Sequence, residues 1–200
     1  MGSSLIRRFS LFFLISFLSP SVVLATMVLP LNLEQLSQRA ERIFVGRCDS
    51  VAEEYDSNQM ATTSVTYEVL DKIKGDLRSY ETIRLYGFSK KTVLSEDGLL
   101  ISRQPTPLAA YSFEPGTEEV LFLYKDSRLG FTSPVGFGQG RFEIHTLASG
   151  QKVVSNNFGN RILLKKSSSS VLKALKSANP DEPIGFDEFV ATVKKVVSPR

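Results

Sequence analysis

From Thr62 to Leu70 the chain alternates, with Val65, Tyr67 and Val69 on one side of an extended backbone and Thr66 and Glu68 on the other. A period of two cannot line one face of a helix, so this stretch must be a half-buried strand in an antiparallel sheet. Other segments supply partners. Ile43 to Cys48 is rich in strand formers and continues toward Val51, and 53–60 then reads as a polar turn. Ile73-Lys74-Gly75-Asp76 ends the alternating strand, and Glu81–Tyr86 follows with Ile83 and Leu85 on one face. Glu118–Lys125 holds the continuous apolar run Val120–Tyr124, the pattern of a central strand covered on both sides. Phe142–Ile144 and Val153–Val154 are shorter strands. Residues 88–116, with Pro105, Pro107 and Pro115, read as a long irregular loop.

Helical spacing occurs near both ends. Asn32 and Gln35 form a capping-box pair, Leu31 and Leu36 a hydrophobic staple, and the spacing predicts a helix from 33 to about 42. Near the C-terminus Phe186, Phe189, Val190, Val193 and Val197 make one apolar stripe behind Gly185 as N-cap, with Lys194 and Lys195 suited to the helix C-terminal end. Lys165–Ser170 reads as a polar, flexible spacer. The fold class expected is mainly β (α+β), with a β-rich domain over 26–164 and the spacer plus a core-packing helix over 165–200.

The first 25 residues have the order of a cleavable export signal: Arg7 and Arg8, an apolar run Phe9–Leu18, Pro20, then Val23-Leu24-Ala25 at the cleavage site. Pro20 and Ser21 cut the run short of the roughly 20 apolar residues that a spanning helix needs, which disfavours a stable membrane anchor. Cleavage near Ala25 removes two arginines and no acid, so the formal net charge falls from +3 to +1. A near-neutral chain gives no electrostatic footprint for nucleic acid. The expected location is periplasmic or extracellular. There the single cysteine, Cys48, cannot form an internal disulfide, so hydrophobic packing must hold the chain together. Cys48 lies in an apolar strand pattern and reads as a buried, inert thiol.

No reactive constellation stands out. One His and one Cys cannot build a zinc site, and the sequence implies no cofactor. His145 reads as a strand-end surface residue. A hydrolase pairing it with a serine is a second alternative, but no Gly-x-Ser-x-Gly elbow is present. Gly136-Phe137-Gly138-Gln139-Gly140 lacks the following helix and the Lys-Ser/Thr pair of a phosphate loop, so its glycines read as a sharp bend or a close backbone approach. Ser177, Asn179, Asp181 and Glu188 fall at calcium-loop spacing, but Glu182 occupies the position that requires glycine. Glu53-Glu54 and Glu118-Glu119 read as solvated turn charges.

The order of segments carries a family resemblance. Ile43-Phe44-Val45-Gly46-Arg47, then Thr66 to Lys74-Gly75, then Gly116-Thr117-Glu118-Glu119-Val120-Leu121-Phe122-Leu123-Tyr124 resembles the netrin-like domain of the tissue inhibitors of metalloproteinases. It is also similar to a group of bacterial secreted proteins with this arrangement. The resemblance spans 43–125 and implies an OB-like small antiparallel barrel with flanking N-terminal and C-terminal helices. In the animal inhibitors an N-terminal Cys chelates the protease zinc, whereas this chain would begin near Thr26 without one. The function expected is a non-catalytic binding module, a partner or inhibitor of an exported protease or a partner of another envelope protein; an envelope structural domain is the alternative. The candidate partner-binding residues are Thr26, Met27, Val28 and Leu29 in the apolar N-terminal segment, with Gln139 and Arg141 lining a surface.

Overall fold

The computed structural model describes residues 29–89, 92–94, 97, 100–102, 112–156, 159, 163, 167–168, 170–171, 175 and 183–198. The export segment, Thr26, Met27, Val28, and the calcium-loop positions Ser177, Asn179, Asp181 and Glu182 lie outside the described residues.

Helix α1 covers Leu33–Arg39 and starts with the expected box: the Asn32 side chain accepts from Gln35 N at 2.9 Å, and the Gln35 side chain accepts from Asn32 N at 3.0 Å. It ends before residue 42, where the sequence spacing put it. Lys74 Nζ donates to the free carbonyls of Ser37 and Ala40, at 2.9 and 2.5 Å, and Glu41 N–H is already taken by Leu123 O at 2.8 Å, so the chain enters the sheet there.

Strands β1 (Arg42–Tyr55), β2 (Ala61–Lys74), β3 (Tyr80–Tyr86), β6 (Glu118–Leu123), β7 (Arg141–Thr146), β8 (Lys152–Ser155) and β9 (Ile184–Gly185) form one antiparallel sheet in the order β3-β2-β1-β6-β7-β8-β9. The first hairpin is longer than the sequence suggests. Glu53, Glu54 and Tyr55 pair with Thr63, Thr62 and Ala61, and the turn is 56–60, closed by Asp56 accepting from Asn58 N and Met60 N. Pairing across the hairpin thus overrides the polar character of Glu53 and Glu54. Part of the expected irregular loop is also a hairpin, β4 (Thr92–Leu94) with β5 (Leu100–Ser102), in a separate two-stranded sheet. The order β6-β1-β2-β3, with β6 returning after a long connection to lie beside β1, is a Greek key.

Pairing shifts between Ile43/Phe44, Val45/Gly46 and Cys48/Ser50 interrupt the β1–β2 ladder, and irregularities of this kind bend and twist a strand pair. The sheet therefore has two apolar faces. On one, Ile43, Val45, Val120, Phe122, Phe142 and Val154 pack with α1 and with helix α2 (Phe186–Val197) through Leu33, Leu36, Phe189 and Val193. The C-terminal stripe thus packs on the β core, and Leu163 and Val171, on either side of the serine run, are buried in the same layer. On the other, Phe44, Cys48, Val65, Tyr67, Ile83, Leu85, Leu121 and Leu123 form a second cluster. Fully burying such side chains contributes on the order of 1.5–3 kcal/mol each, which lets the fold do without a disulfide.

Gly140 shows why the glycine-rich stretch is built as it is. A Cβ there would lie 2.9 Å from Phe122 O and 3.0 Å from Val135 N, both backbone atoms that cannot swing away. Gly140→Ala should therefore cost roughly 1–3 kcal/mol. In urea titration this reads as a lower midpoint with an unchanged slope; an unchanged midpoint would show that the approach is loose.

Candidate functional site

Glu119 faces the same side of β6 as Leu121 and Leu123, and so points into the second apolar cluster. A carboxylate there must be paired. Tyr67 Oη donates to its Oε2 at 2.9 Å, and Arg141 Nε donates to its Oε1 at 2.9 Å, with Arg141 Nη2 closing on the same oxygen. Gly46, between the two strands that carry Tyr67 and Glu119, keeps this lane open: a Cβ there would lie 2.8 Å from the Phe44 ring and 3.1 Å from Tyr67 Cδ1. Arg141 also donates to Ser112 O at 2.7 Å and sits over the Phe113 ring, 4.6 Å from its centroid. Glu119 is 1% exposed and Arg141 6%. Glu119 is thus a buried ion-pair partner, which corrects its reading as a solvated turn charge.

Burial, then the Glu119 charge, pushes the Tyr67 phenol well above its ordinary value, so it stays a neutral donor. For Arg141 burial acts to lower the value, but the hydrogen bonds and charge of Glu119 outweigh it and raise the guanidinium. Burial, with the Glu119 charge added, pushes the Cys48 thiol up to about 11, in keeping with an inert group.

This ion pair floors an open cleft of about 400 Å³, whose rim includes Glu114, Thr117, Glu118, Glu143, His145 and Lys152. Glu118 accepts from Lys152 Nζ at 2.6 Å and from Arg47 Nη2 at 3.0 Å, and these bonds, Lys152 first, hold its carboxyl below the usual range. Glu143 lies 3.9 Å from Arg141 Nη2 and 3.8 Å from His145 Nε2. His145 is exposed at the next-to-last position of β7, and its Nε2 is 3.0 Å from Ser155 Oγ. Only the serine is within hydrogen-bond distance, and the acid approaches the same ring nitrogen from 3.8 Å, whereas a catalytic triad needs an acid hydrogen-bonded to the opposite one. Among the described residues no group of three His, Cys, Asp or Glu side chains is placed to hold a metal ion. The lining of the cleft is thus mixed in charge and rich in hydrogen-bonding groups.

The candidate residues read from sequence are divided by the sheet. Arg141 reaches the cleft as its buried floor, not as open surface. Gln139 is 3% exposed on the helix side: its Oε1 accepts from Leu31 N at 2.7 Å and its Nε2 donates to Leu29 O at 3.0 Å. Its side-chain amide thus pairs with the N-terminal segment as a neighbouring strand would, leaving Leu29 exposed. Tyr67 and Glu119 were missed as a pair. The signal available was that Glu119 shares the parity of Leu121 and Leu123 in an apolar run; its partners come from 52 residues upstream and 22 downstream. Comparisons with protein-family models, curated proteins and solved structures gave no match for the chain.

Removing one buried partner should cost far more than replacing the whole network. Arg141→Met alone is expected to destabilise by about 3–5 kcal/mol, and adding Glu119→Leu with Tyr67→Phe, which also removes the hydroxyl that Glu119 accepts from, to recover most of that loss in chemical denaturation; a triple variant as weak as the single one would show that the network is not the source. Glu118 adds a pH dependence. Its folded value is depressed, so its contribution is complete above the unfolded carboxylate value of about 4.3 and is lost as pH falls through the folded one. Lys152→Met should make stability fall less steeply across that acid window; an unaltered acid limb would remove Lys152 as the cause.

Proposed function

We propose that this protein is an exported, non-catalytic binding module that holds a polar segment of a protein partner, an exported protease or another envelope protein, in the cleft floored by Arg141. The observation that carries the reading is the commitment of the floor groups to one another: Glu119 is bound by both Tyr67 and Arg141, which favours a rigid recognition surface over proton transfer. The Ser155–His145–Glu143 geometry weighs against the hydrolase reading. An OB-like barrel, partly open, is the architecture proposed. Its support is the Greek-key order of β6-β1-β2-β3 and the hydrogen bond from Thr132 N, in the β6–β7 connection, to Arg84 O on the outer strand β3 at 2.8 Å.

The test is capture from the exported fraction with tagged protein carrying the native cleft or Glu143→Lys, with Leu129→Ser, in the exposed loop at the far end of β6, as a remote control. The expected result is one partner recovered by the native and control proteins and at least about tenfold less by Glu143→Lys, since a reversed charge at the rim repels what the native rim attracts. Equal recovery by all three, or recovery of nothing, would sink the reading. Adding the captured protease, if it is one, to a turnover assay separates inhibitor from passive partner.

A further inference from the structure

The cleft carries an imbalance of charge. Arg47 bridges Glu118 and Glu68, at 3.0 and 3.2 Å, and Lys152 closes on Glu118 at 2.6 Å, so two cations meet two carboxylates there. At the floor Arg141 is matched by Glu119. Among the described residues of the lining two carboxylates are then in excess, Glu114 and Glu143. Glu114 is exposed, and its Oε1 accepts from a neutral donor, Ser112 Oγ, at 3.0 Å. Glu143 lies beyond hydrogen-bond distance of the two basic groups beside it, Arg141 Nη2 at 3.9 Å and His145 Nε2 at 3.8 Å. Glu143 is also the direct cross-strand partner of Glu119 in the β6–β7 ladder. Like charges opposite one another on a sheet destabilise it. Arg141 donates to Glu119 and to Ser112 O and does not close on Glu143 as well. Folds keep such conflicts where function requires them. The excess also runs against the sign of the whole chain, whose formal net charge is +3.

We infer that the cleft selects a cationic side chain, lysine or arginine, on the segment it holds, with Glu114 and Glu143 as the groups that receive it. The inference rests on the binding-module reading of this cleft and adds the charge of what it takes. A metal ion does not meet the same excess, because among the described residues no three His, Cys, Asp or Glu side chains converge as ligands. A guanidinium or ammonium on a flexible stem reaches carboxylates spread along a rim and leaves the buried pair of Arg141 and Glu119 intact. The volume of about 400 Å³ lies within the range of roughly 300–1,000 Å³ typical of ligand-holding clefts, so a side chain and the backbone that bears it both have room.

The test titrates isotope-labelled protein, recovered after expression of the full chain, with blocked Gly-Ser peptides that carry Arg, Lys or Gln at the centre. The backbone amides of Thr117, Glu143 and Thr146, which line the cleft, report binding by NMR. The Arg and Lys peptides are expected to bind at least about tenfold more tightly than the Gln peptide, and less tightly as salt rises. Glu114→Gln and Glu143→Gln should each weaken the Arg peptide by about threefold or more. Asp76→Asn, which removes an exposed acid in the turn after β2, should leave it unchanged. Amides remote from the cleft, unmoved by the substitutions, confirm that each variant is folded. A Gln peptide that binds as tightly as the Arg peptide, glutamate variants that bind it like the native protein, or peptides that move none of these amides would each overturn the inference. Calcium ions that move the same amides more tightly than any peptide would also overturn it and make the rim an ion site. The cleft reading is judged separately by capture. A partner recovered there, with equal binding of Arg and Gln peptides, removes only the charge selection; cationic peptides bound as expected, with no partner captured, sink the module reading and leave the selection standing.

Discussion

Everything in this structure depends on the burial of β1 and β6 from both sides. Ile43 and Val45 face one apolar cluster while Phe44 and Cys48 face the other, and Val120 and Phe122 alternate in the same way with Leu121 and Leu123. A strand buried on both faces needs two separate covers. Helices α1 and α2 supply one, and the bent hairpin β2–β3 supplies the other. The irregularities in β1–β2 pairing let one continuous sheet do both, because a flat sheet could not curl over its own centre.

The buried ion pair follows from that arrangement. Once β6 is enclosed, Glu119 on the Leu121 face is almost wholly shielded from water beneath the cleft, and a carboxylate there persists only with donors close by. Tyr67 comes from β2 and Arg141 from β7, the strands on either side of the β1–β6 centre. Such a network ties three strands at once, and its energetic signature is the penalty for breaking it rather than a net gain for having it. It also gives the cleft a floor whose side chains are already committed to one another.

Sequence patterning was most legible where local and tertiary demands agree. The capping box at Asn32–Gln35, the Phe186–Val197 stripe, the alternation around Tyr67 and the apolar run after Glu119 all report faces that the fold uses as written. It failed where a polar residue was taken as exposed because it is polar. Glu53 is a paired strand residue that accepts from Ser89 N, Glu119 is buried, and Gln139 is an internal clamp rather than a surface group. Each has a partner more than 20 residues away, and no window along the chain contains that information.

The sequence by itself determined the type and approximate place of the main strands and helices, though not the end of α1, the pairing of Glu53–Tyr55 or the hairpin β4–β5, together with the reliance on packing in place of disulfides and the glycines that permit the close approach at Gly140. These follow from backbone sterics, side-chain period and residue counts, all of which are local. Only the tertiary structure decided that Glu119, Arg141 and Tyr67 meet, that Gln139 fixes the entry of the chain beside Phe137, and that Ser155 and Glu143 fall on the same nitrogen of His145. Those are facts about strand order and register: one step in register moves a side chain to the opposite face, and residues that alternate identically along the chain can end in water or in the core.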